Sequence, residues 1–458
     1  MAEMKKRTFH LNFLGDVMLG RLIDQLFPQH VHNPEEASII AAFRKRYARI
    51  REGEYTPASP WGTTLPLFLQ DQQTAGDDGG LNLLNLETSV TTHAEAWPNK
   101  AFNYRVHPTN AVAVLRQARI DYVSLANNHT LDFGPEGLVE TVWTLKKARI
   151  AFAGAGETTE EAISPAILAL PRGERGTREG GQREDPASRS STTTTTSAGG
   201  YNSGEEGERQ THAIHIWSAS DHPRDWASVP TFHLIDYSAS TRSRLKRLLT
   251  SRARPKPEAA STKPALKIFS VHWGPNYSWT PLSEIQSLAH FLIDECDVDI
   301  VHGHSSHHVQ GVERPRPGKL IIYGCGDFVD DYAVSERFRN DLGAVWRVRV
   351  REVEDEDPEE EQDHDHTGGE GARAGGNTAA EGERRKRLRL RPSTLEIFPT
   401  RIQHFQAHLL DRSDPDHDWV CERITTLTEE LMEANTETKE KIVRPELGAE
   451  GQLVVDLE

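Results

Sequence analysis

Polar residues that bind cations or move protons stand where several apolar stretches of the sequence end. In SLANNHTLDFG, residues 124–134, an apolar start leads directly into Asn127, Asn128 and His129. Asparagine is disfavoured within strands, so three polar side chains at a strand end need partners of their own. Four other strand-like stretches end in the same way, at Asp16, at Asn85 and Glu87, at His272, and at His302, His304, His307 and His308.

The types of these residues indicate a site for metal ions. In open α/β sheets ligands bind at the carboxyl ends of the strands, so we expect these ends to meet at one edge. Burying their polar groups together without a ligand would be costly, and bound cations would remove that cost. Carboxylate, amide and imidazole groups suit divalent Mn, Fe or Zn. Because the strand ends carry no cysteine, a structural zinc knot is not expected. The pattern therefore predicts two divalent transition-metal ions, bridged by a carboxylate and able to activate a water molecule.

The composition of the chain argues against several classes of protein. Among 458 residues, 69 Asp+Glu against 53 Lys+Arg give a net charge of −16, which argues against binding nucleic acid or an anionic membrane. The three cysteines, at positions 296, 325 and 421, suit no disulfide framework, which favours a reducing compartment. No run of about 18 apolar residues predicts a membrane span, and the N-terminus lacks signal-peptide features. A soluble cytoplasmic protein without a membrane partner is expected, and its oligomeric state is left open.

One domain with two long insertions is predicted. Residues 172–210 and 353–386 contain almost no large apolar side chains and are expected to be disordered. Alternating patterns flank the second insertion, GAVWRVRVRE before it and RLRLRPSTLEIFP after it, which indicates a hairpin with a lengthened turn. The basic run RRKRLRLR is therefore predicted to begin a strand rather than to act as a nuclear import signal. The domain comprises residues 1–171, 211–352 and 387–412, followed by a helical extension and tail over 413–458.

Strand and helix patterns alternate along the rest of the chain. The predicted strands include FHLNFLGD, NLLNLETS, DYVSLANN, LKIFSVHWG, VDIVHGH and KLIIYGCGDF. Residues 135–148 and the segment SEIQSLAHFLIDE have apolar residues at helical spacing. Such alternation is typical of a layered α/β domain.

The motifs GDVMLGR, NLETSVT, ANNHTLDFGPEGL, HWGPNY, GHSSHHVQGVE and LIIYGCGDFV follow one another in this order. As a set they resemble the CapA family of capsule or poly-γ-glutamate synthesis proteins, within the calcineurin-like metallophosphoesterase superfamily. The resemblance covers about residues 9–350, apart from the first insertion. It implies an α/β fold in which a layered β-sandwich is flanked by helices, in the four-layer α/β/β/α arrangement of metallophosphoesterases.

The resemblance also implies a set of metal ligands. Asp16 would bind the first ion, Glu87 stands where the superfamily has a bridging aspartate, and Asn128 would bind the second ion through its amide oxygen. Paired histidines in the superfamily usually stand two residues apart rather than three, so His302 and His308 remain alternatives within the histidine set. The preferred histidine ligands are His272, His304 and His307.

A catalytic histidine is implied as well. His129 would donate a proton to the leaving group, and Asp132, three residues later on a tight turn, would orient it. A metal-bound hydroxide would attack a phosphoester, or an amide or ester, which predicts a dinuclear metal-dependent hydrolase. Besides the histidine spacing, three positions depart from the expected pattern: Thr130 replaces an acidic residue after the histidine, Asn276 stands where many relatives have Glu after HWG, and Asp327 replaces asparagine after Gly326.

The substrate side of the site carries weaker signals. Arg21, Asn85 and Asn127 are predicted to bind substrate, although a surface ion pair is an equally good interpretation of Arg21. The segment WPNKAFNYRVHP, residues 97–108, resembles the family's substrate-side loop and is expected near the cleft. The substrate would be a small molecule or an anionic polymer. The alternative function is a non-catalytic, polyglutamate-binding component of a polymer synthesis or transport assembly. His129 favours catalysis, because a pure binder needs no proton donor.

Overall fold

A computed structural model describes residues 6–32, 37–50, 54–69, 78–171, 211–250, 263–355, 387–434 and 444–458. The predicted insertion at 172–210 lies outside the described residues, as do residues 356–386 of the second insertion. Residues 353–355, the predicted start of that second insertion, complete a strand instead. They do so because they continue the antiparallel pairing with residues 387–389.

The strands are numbered in the order in which they occur along the chain. They are β1 (Thr8–Val17), β2 (Gly80–Leu86), β3 (Ser89–Val90), β4 (Arg105–Val106), β5 (Tyr122–Ser124), β6 (Ala151–Ala153), β7 (Ala166–Leu170), β8 (His212–Ser220), β9 (Leu266–His272), β10 (Ile300–His304), β11 (Val312–Glu313), β12 (Leu320–Ile322), β13 (Asp327–Val329), β14 (Leu342–Asp355), β15 (Arg387–Gln403), β16 (Gln406–Leu409), β17 (Glu446–Leu447) and β18 (Leu453–Asp456).

The helices flank these strands. They are α1 (Arg21–Asp24), α2 (Ala37–Ile50), α3 (Leu65–Leu69), α4 (Pro108–Gln117), α5 (Gly134–Ala148), α6 (Thr159–Ile163), α7 (Ala239–Thr250), α8 (Ser283–Asp294) and α9 (Pro415–Ala434). The helices predicted over 135–148 and over SEIQSLAHFLIDE are confirmed as α5 and α8. Within the described part of the chain, no helix combines the length and apolar character that a membrane crossing requires.

Two large sheets form the centre of the fold. The first has the strand order β17-β18-β15-β14-β1-β2-β5-β6, with β13 beside β1 and β16 beside β15. The second has the order β11-β12-β10-β9-β8-β7, and β3 pairs with β4 separately. The hairpin predicted across the second insertion is confirmed as β14 and β15, which pair from Leu342 with Arg401 to Asp355 with Arg387. The C-terminal tail adds β18 to β15, a pairing that the sequence pattern did not predict.

Three apolar clusters separate four layers. Alternate residues of β1, Phe9, Leu11 and Phe13, point between the two sheets and pack in one cluster with Ile214 and Ile268 of the second sheet. Another cluster lies between the first sheet and helices α4 and α5. A third lies between the second sheet and helices α7 and α8. Each fully buried large side chain contributes about 1.5–3 kcal/mol. The predicted four-layer α/β/β/α arrangement is confirmed, and its sheets carry the candidate site.

A close backbone contact places the end of β1 beside the start of β13. A Cβ atom on Gly15 would lie 1.8 Å from the carbonyl oxygen of Gly326, and the Asp16 N–H donates to that oxygen at 3.1 Å. We expect Gly15→Ala to destabilise the protein by about 1–3 kcal/mol, because the two strands must separate. Urea denaturation measures this loss. Gly448→Ala is the control, because its Cβ would meet only the flexible end of Gln452; equal losses in both variants would contradict the prediction.

One ion pair links α8 to β11 and makes stability depend on pH. His290 Nε2 lies 2.9 Å from Glu313 Oε2, and this hydrogen bond raises the pKa of His290 above its ordinary 6.5. Because the folded-state pKa is raised, the stabilisation is complete below about pH 6.5 and is lost as the pH rises through the folded value. We expect His290→Gln to cost up to about 1 kcal/mol at pH 6 and little at pH 9. Urea denaturation at both pH values tests this, and an equal loss at both would assign the effect to packing.

Candidate metal centre

The first sheet brings acidic and amide side chains to one edge. β1 runs parallel to β2 and β13, and Asp16 lies opposite Asn85 on one side and Asp327 on the other. Since these strands run in the same direction, their polar ends meet. Glu87 follows β2 directly, and its backbone N–H donates to Val17 O at 3.0 Å. The edge therefore carries three carboxylates and one amide.

The second sheet contributes neighbouring histidines to the same place. In the parallel strands β8, β9 and β10, Ser220, His272 and His304 lie side by side in register. The Nδ1 atoms of His272 and His304 are 2.9 Å apart. His304 Nδ1 also lies 4.0 Å from Asp16 Oδ1. The acidic edge of one sheet thus faces the histidine edge of the other.

Two groups of potential metal ligands share one carboxylate. Within each group the ligand atoms all lie within 4.8 Å of one another, and every member is buried. A carboxylate shared by the two groups could bridge a pair of adjacent ions of the kind that two-metal hydrolases use. In this geometry Asp16 is shared, whereas the family resemblance implies that Glu87 forms the bridge. The groups consist of Asp16, His272 and His304, and of Asp16, Glu87, His307 and Asp327.

Several buried polar atoms in and beside these groups have no hydrogen-bond partner among the described residues. They are Glu87 Oε1, Asn128 Oδ1, His272 Nε2 and Asp327 Oδ2. An unpaired buried polar atom costs about 1–3 kcal/mol. A divalent cation accepts lone pairs from carboxylate, amide and imidazole alike. The residues present therefore fit bound divalent metal ions.

Crowding and burial shift the ionisation of these side chains. Burial raises the pKa of Asp16. Burial, and then the negative charge of Asp16, raise the pKa of Glu87 and of Asp327 well above their ordinary values. Burial lowers the pKa of His272 and His304, and neighbouring histidines add to this effect. Cations bound at this place would lower the pKa of these carboxyl groups again, because a nearby positive charge favours the ionised form.

His129 is held by Asp132, as predicted, and also by a lysine that was not predicted. His129 Nδ1 lies 2.6 Å from Asp132 Oδ2. Lys100 Nζ contacts the other oxygen of Asp132 and lies 3.0 Å from His129 Nδ1. The Tyr104 ring stacks on the imidazole with 3.9 Å between centroids. Burial lowers the pKa of His129 to about 4. These contacts engage Nδ1, so Nε2 is the nitrogen available to a reacting group.

Asn85 and Asn127, both predicted to bind substrate, lie instead behind the candidate ligands. Asn85 Nδ2 donates to Asp16 Oδ1 at 2.7 Å, and Asn127 Nδ2 donates to Asn85 Oδ1 at 3.0 Å. Asn127 Oδ1 accepts the backbone N–H of His129 at 3.0 Å. Neither asparagine exposes any surface, and both are hydrogen-bonded within the protein. This chain of hydrogen bonds ties Asp16 to the turn that carries Asn128 and His129.

The histidines near the end of β10 have different surroundings. His302 uses both ring nitrogens within the protein, in hydrogen bonds of 3.0 Å to Leu14 O and to Ser270 Oγ. His308 stacks on the ring of Phe338, with 5.0 Å between the two centroids. These two alternatives therefore lie outside the candidate groups, which contain His304 and His307.

Backbone conformation explains why His304 and His307 stand three residues apart. Ser305 and His307 both adopt positive φ, 96° and 60°, so the chain turns sharply after β10. The turn directs His307 Nδ1 to within 2.8 Å of Asp327 Oδ1. The Ser305 N–H donates to Asp16 Oδ2 at 3.2 Å.

Arg21 has both an ion-pair partner and an exposed part. Its Nε lies 3.6 Å from Asp331 Oδ1, and its side chain is 35% exposed. The guanidinium also lies over the ring of Tyr104, 5.2 Å from the centroid. Since Tyr104 stacks on His129, Arg21 lies two side chains away from the candidate catalytic residue. The interpretation as an ion pair is confirmed, and the exposed part leaves room for an anion contact.

Three site residues were not predicted, and only one had a usable signal. Asp327 lies near the end of the predicted strand KLIIYGCGDF, so the strand-end rule applied to the other ligands would have found it. Tyr332 donates to Glu87 Oε2 at 3.0 Å, and Lys100 reaches Asp132. Neither has a distinctive local pattern, because both contacts depend on how loops pack. The position of Lys100 confirms that the 97–108 loop lies near the cleft.

Comparisons with known proteins agree with the motif resemblance. The family model described as "Bacterial capsule synthesis protein PGA_cap" matches residues 10–332. A protein named "Probable polyglutamine synthesis accessory protein", from Mycobacterium tuberculosis strain CDC 1551 / Oshkosh, is 33% identical over 346 residues, 72% of this chain and 77% of its own. The protein of the same description from strain H37Rv matches to the same extent. The "Capsule biosynthesis protein CapA" of Bacillus anthracis is 24% identical over 329 residues, 72% of this chain and 61% of its own.

Proposed function

This chain belongs to the family of bacterial capsule synthesis proteins described as PGA_cap, and from that premise we propose that it is a metal-dependent hydrolase. The bond it cleaves would be a phosphoester, or an amide or ester. One observation carries the proposal: two buried groups of carboxylates and imidazoles share Asp16. Around them, buried ligand-type atoms lack partners among the described residues.

The donor set would divide between two ions. Asp16, His272 and His304 would hold one, and Asp16, Glu87, His307 and Asp327 would hold the other, with the Asn128 amide oxygen beside them. When bound, such ions supply positive charge that polarises the scissile bond and activates a water molecule. The chain itself fixes the ligands, since Asn85 and Ser305 hold both oxygens of Asp16.

His129 is proposed to give a proton to the leaving group from Nε2. Because burial lowers its pKa to about 4, the ring must first take up a second proton from solvent and act as the imidazolium, with Nδ1–H held by Asp132. Its Nδ1 faces Asp132, so the ring cannot rotate without losing that hydrogen bond. Lys100 and the backbone N–H of Tyr104 hold the Asp132 carboxylate in turn. A proton donor of this kind accelerates a reaction about 10²–10⁴-fold when it is correctly positioned.

Metal analysis combined with a substrate panel tests the proposal. Purified protein is expected to contain close to two equivalents of Mn, Fe or Zn and to hydrolyse an aryl phosphate ester. Chelation should remove both the metal and the activity, and adding back one metal at a time should restore them. Protein that loads no divalent metal, or that is fully loaded yet cleaves no phosphoester, ester or γ-peptide, would contradict it.

A second candidate is a non-catalytic component that binds polyglutamate during polymer synthesis or transport. The names of the relatives favour it, because they describe a synthesis accessory protein and a capsule biosynthesis protein. Binding of polyglutamate by metal-loaded protein, without cleavage of any ester or γ-peptide, would support this function over the hydrolase.

A further inference from the structure

We propose that His222 is a further substrate-contacting residue of this site and that Asp221 positions it. The inference rests on the proposed function and adds a residue pair to it. His222 stands two residues after Ser220, which lies beside His272 in the register of β8 and β9. The pair therefore extends the carboxyl edge of the second sheet by one strand, next to His272 and His304.

Asp221 is held by several donors and in turn holds the imidazole. The Asp221 N–H donates to the carbonyl of His272 at 3.1 Å. Asp221 Oδ2 accepts from Tyr237 OH at 2.5 Å and from the Gly274 N–H at 2.9 Å. The other oxygen, Oδ1, contacts His222 Nδ1. Because Oδ2 is already occupied, Oδ1 is the atom that orients the ring.

The exposure of His222 distinguishes it from the candidate ligands beside it. Its ring lies 5.0 Å from that of His272, and its side chain is 28% exposed. His272 and His304 are almost completely buried. Among the described residues, His222 belongs to neither of the groups that could hold an ion. It therefore lies at the accessible margin of the site, where a substrate rather than a metal ion would reach it.

A comparable Asp–His pair occurs at His129, which follows β5 of the first sheet. In both pairs an Asp carboxylate faces Nδ1 of the imidazole. Such a carboxylate accepts the Nδ1–H and so presents the lone pair of Nε2 in the neutral ring. His222 Nε2 makes no hydrogen bond to a described residue. This nitrogen would accept a hydrogen bond from an O–H or N–H of the reacting groups, either the substrate or the attacking water. This contact forms and breaks no covalent bond.

Asp221→Asn tests the positioning role without depending on activity. Tyr237 OH and the Gly274 N–H require an acceptor, so the amide oxygen must face them and the NH₂ group must face His222 Nδ1. The proton is then expected to move to Nε2, as in the serine-protease aspartate variant whose histidine adopts the wrong tautomer. Two-bond ¹H–¹⁵N NMR of ¹⁵N-histidine protein, assigned with His222→Gln, reads the tautomer. An unchanged Nδ1–H tautomer would overturn the positioning role.

Steady-state kinetics and metal analysis test the substrate contact. With p-nitrophenyl phosphate, kcat/KM is expected to fall about 10-fold in His222→Ala and in Asp221→Asn, the effect of losing one hydrogen bond, while metal content stays at the wild-type value. His290→Gln is the matched control, because it also removes a carboxylate-bound imidazole but lies away from the site.

The outcomes separate this inference from the proposed function. If wild-type protein hydrolyses the ester and both variants keep wild-type kcat/KM, the inference fails and the hydrolase proposal stands. Loss of metal in His222→Ala would make His222 a ligand and would also overturn the inference. If wild-type protein loads no metal and cleaves nothing, both fail together.

Discussion

Replacing His129 with alanine is expected to lower kcat about 10²–10⁴-fold while the metal content stays at the wild-type value. The reason is geometric: Nδ1 is bound to Asp132, and Nε2 is the nitrogen that can meet a leaving group. His129 belongs to neither group of potential ligands, so its removal should not release an ion. Ester hydrolysis and elemental analysis of the same preparation measure the two effects.

Two further variants sharpen this test. Lys100→Met should retain metal and lose part of the rate, because it removes one of the groups that hold Asp132. His290→Gln, remote from the site, should keep the wild-type rate. Loss of metal together with activity in His129→Ala would instead identify His129 as a ligand. A wild-type rate would exclude it as the proton donor.

Metal binding is expected to raise the thermal midpoint by up to roughly 8 °C. A ligand at about a thousand times its dissociation constant stabilises the folded state by about 4 kcal/mol, and each kcal/mol shifts the midpoint by less than about 2 °C in a domain larger than about 250 residues. In the metal-free protein, buried carboxylates stand close together and lack compensating charge, as the raised pKa values of Glu87 and Asp327 indicate. Calorimetry with chelated and reloaded protein measures the shift.

Two substitutions should move the metal-free midpoint in opposite directions. Asp327→Asn removes a buried charge and is expected to raise the midpoint of the chelated protein, while weakening metal binding. Asn85→Asp adds a charge 2.7 Å from Asp16 Oδ1 and is expected to lower it. Aspartate and asparagine side chains have similar shapes, so packing alone predicts a similar small loss of stability in both variants. If both variants lose stability equally after chelation, repulsion between the buried carboxylates is not the reason that the ions stabilise the protein.

Much of the fold could be predicted because its signals are local. Alternating residues in β14 and β15 identified a hairpin across the second insertion, since a period of two places one face of each strand on the core. Apolar residues at helical spacing identified α5 and α8, since a period of about 3.6 places one face of a helix on the core. The pairing of β18 with β15 could not be predicted, because the short segment Leu453–Asp456 has no pattern that identifies its partner.

In the candidate site, too, the residues at strand ends could be predicted from local signals and the loop residues could not. The residue types that end the strands could be predicted from the order of the amino acids, and Asp16, Glu87, His272 and His304 do converge. That order did not determine where loop side chains point. Positive φ at Ser305 and His307 turns His307 towards Asp327.

The position of Asn85 and Asn127 behind the ligands and the contact of Lys100 with Asp132 depend on how the loops and layers pack. Spacing along a strand specifies a direction, because successive side chains alternate between two faces. Spacing along a loop does not, because the backbone angles there depend on what the loop packs against. The strand-end ligands were therefore determined by the sequence, and the residues that orient them by the packing of the four layers and their loops.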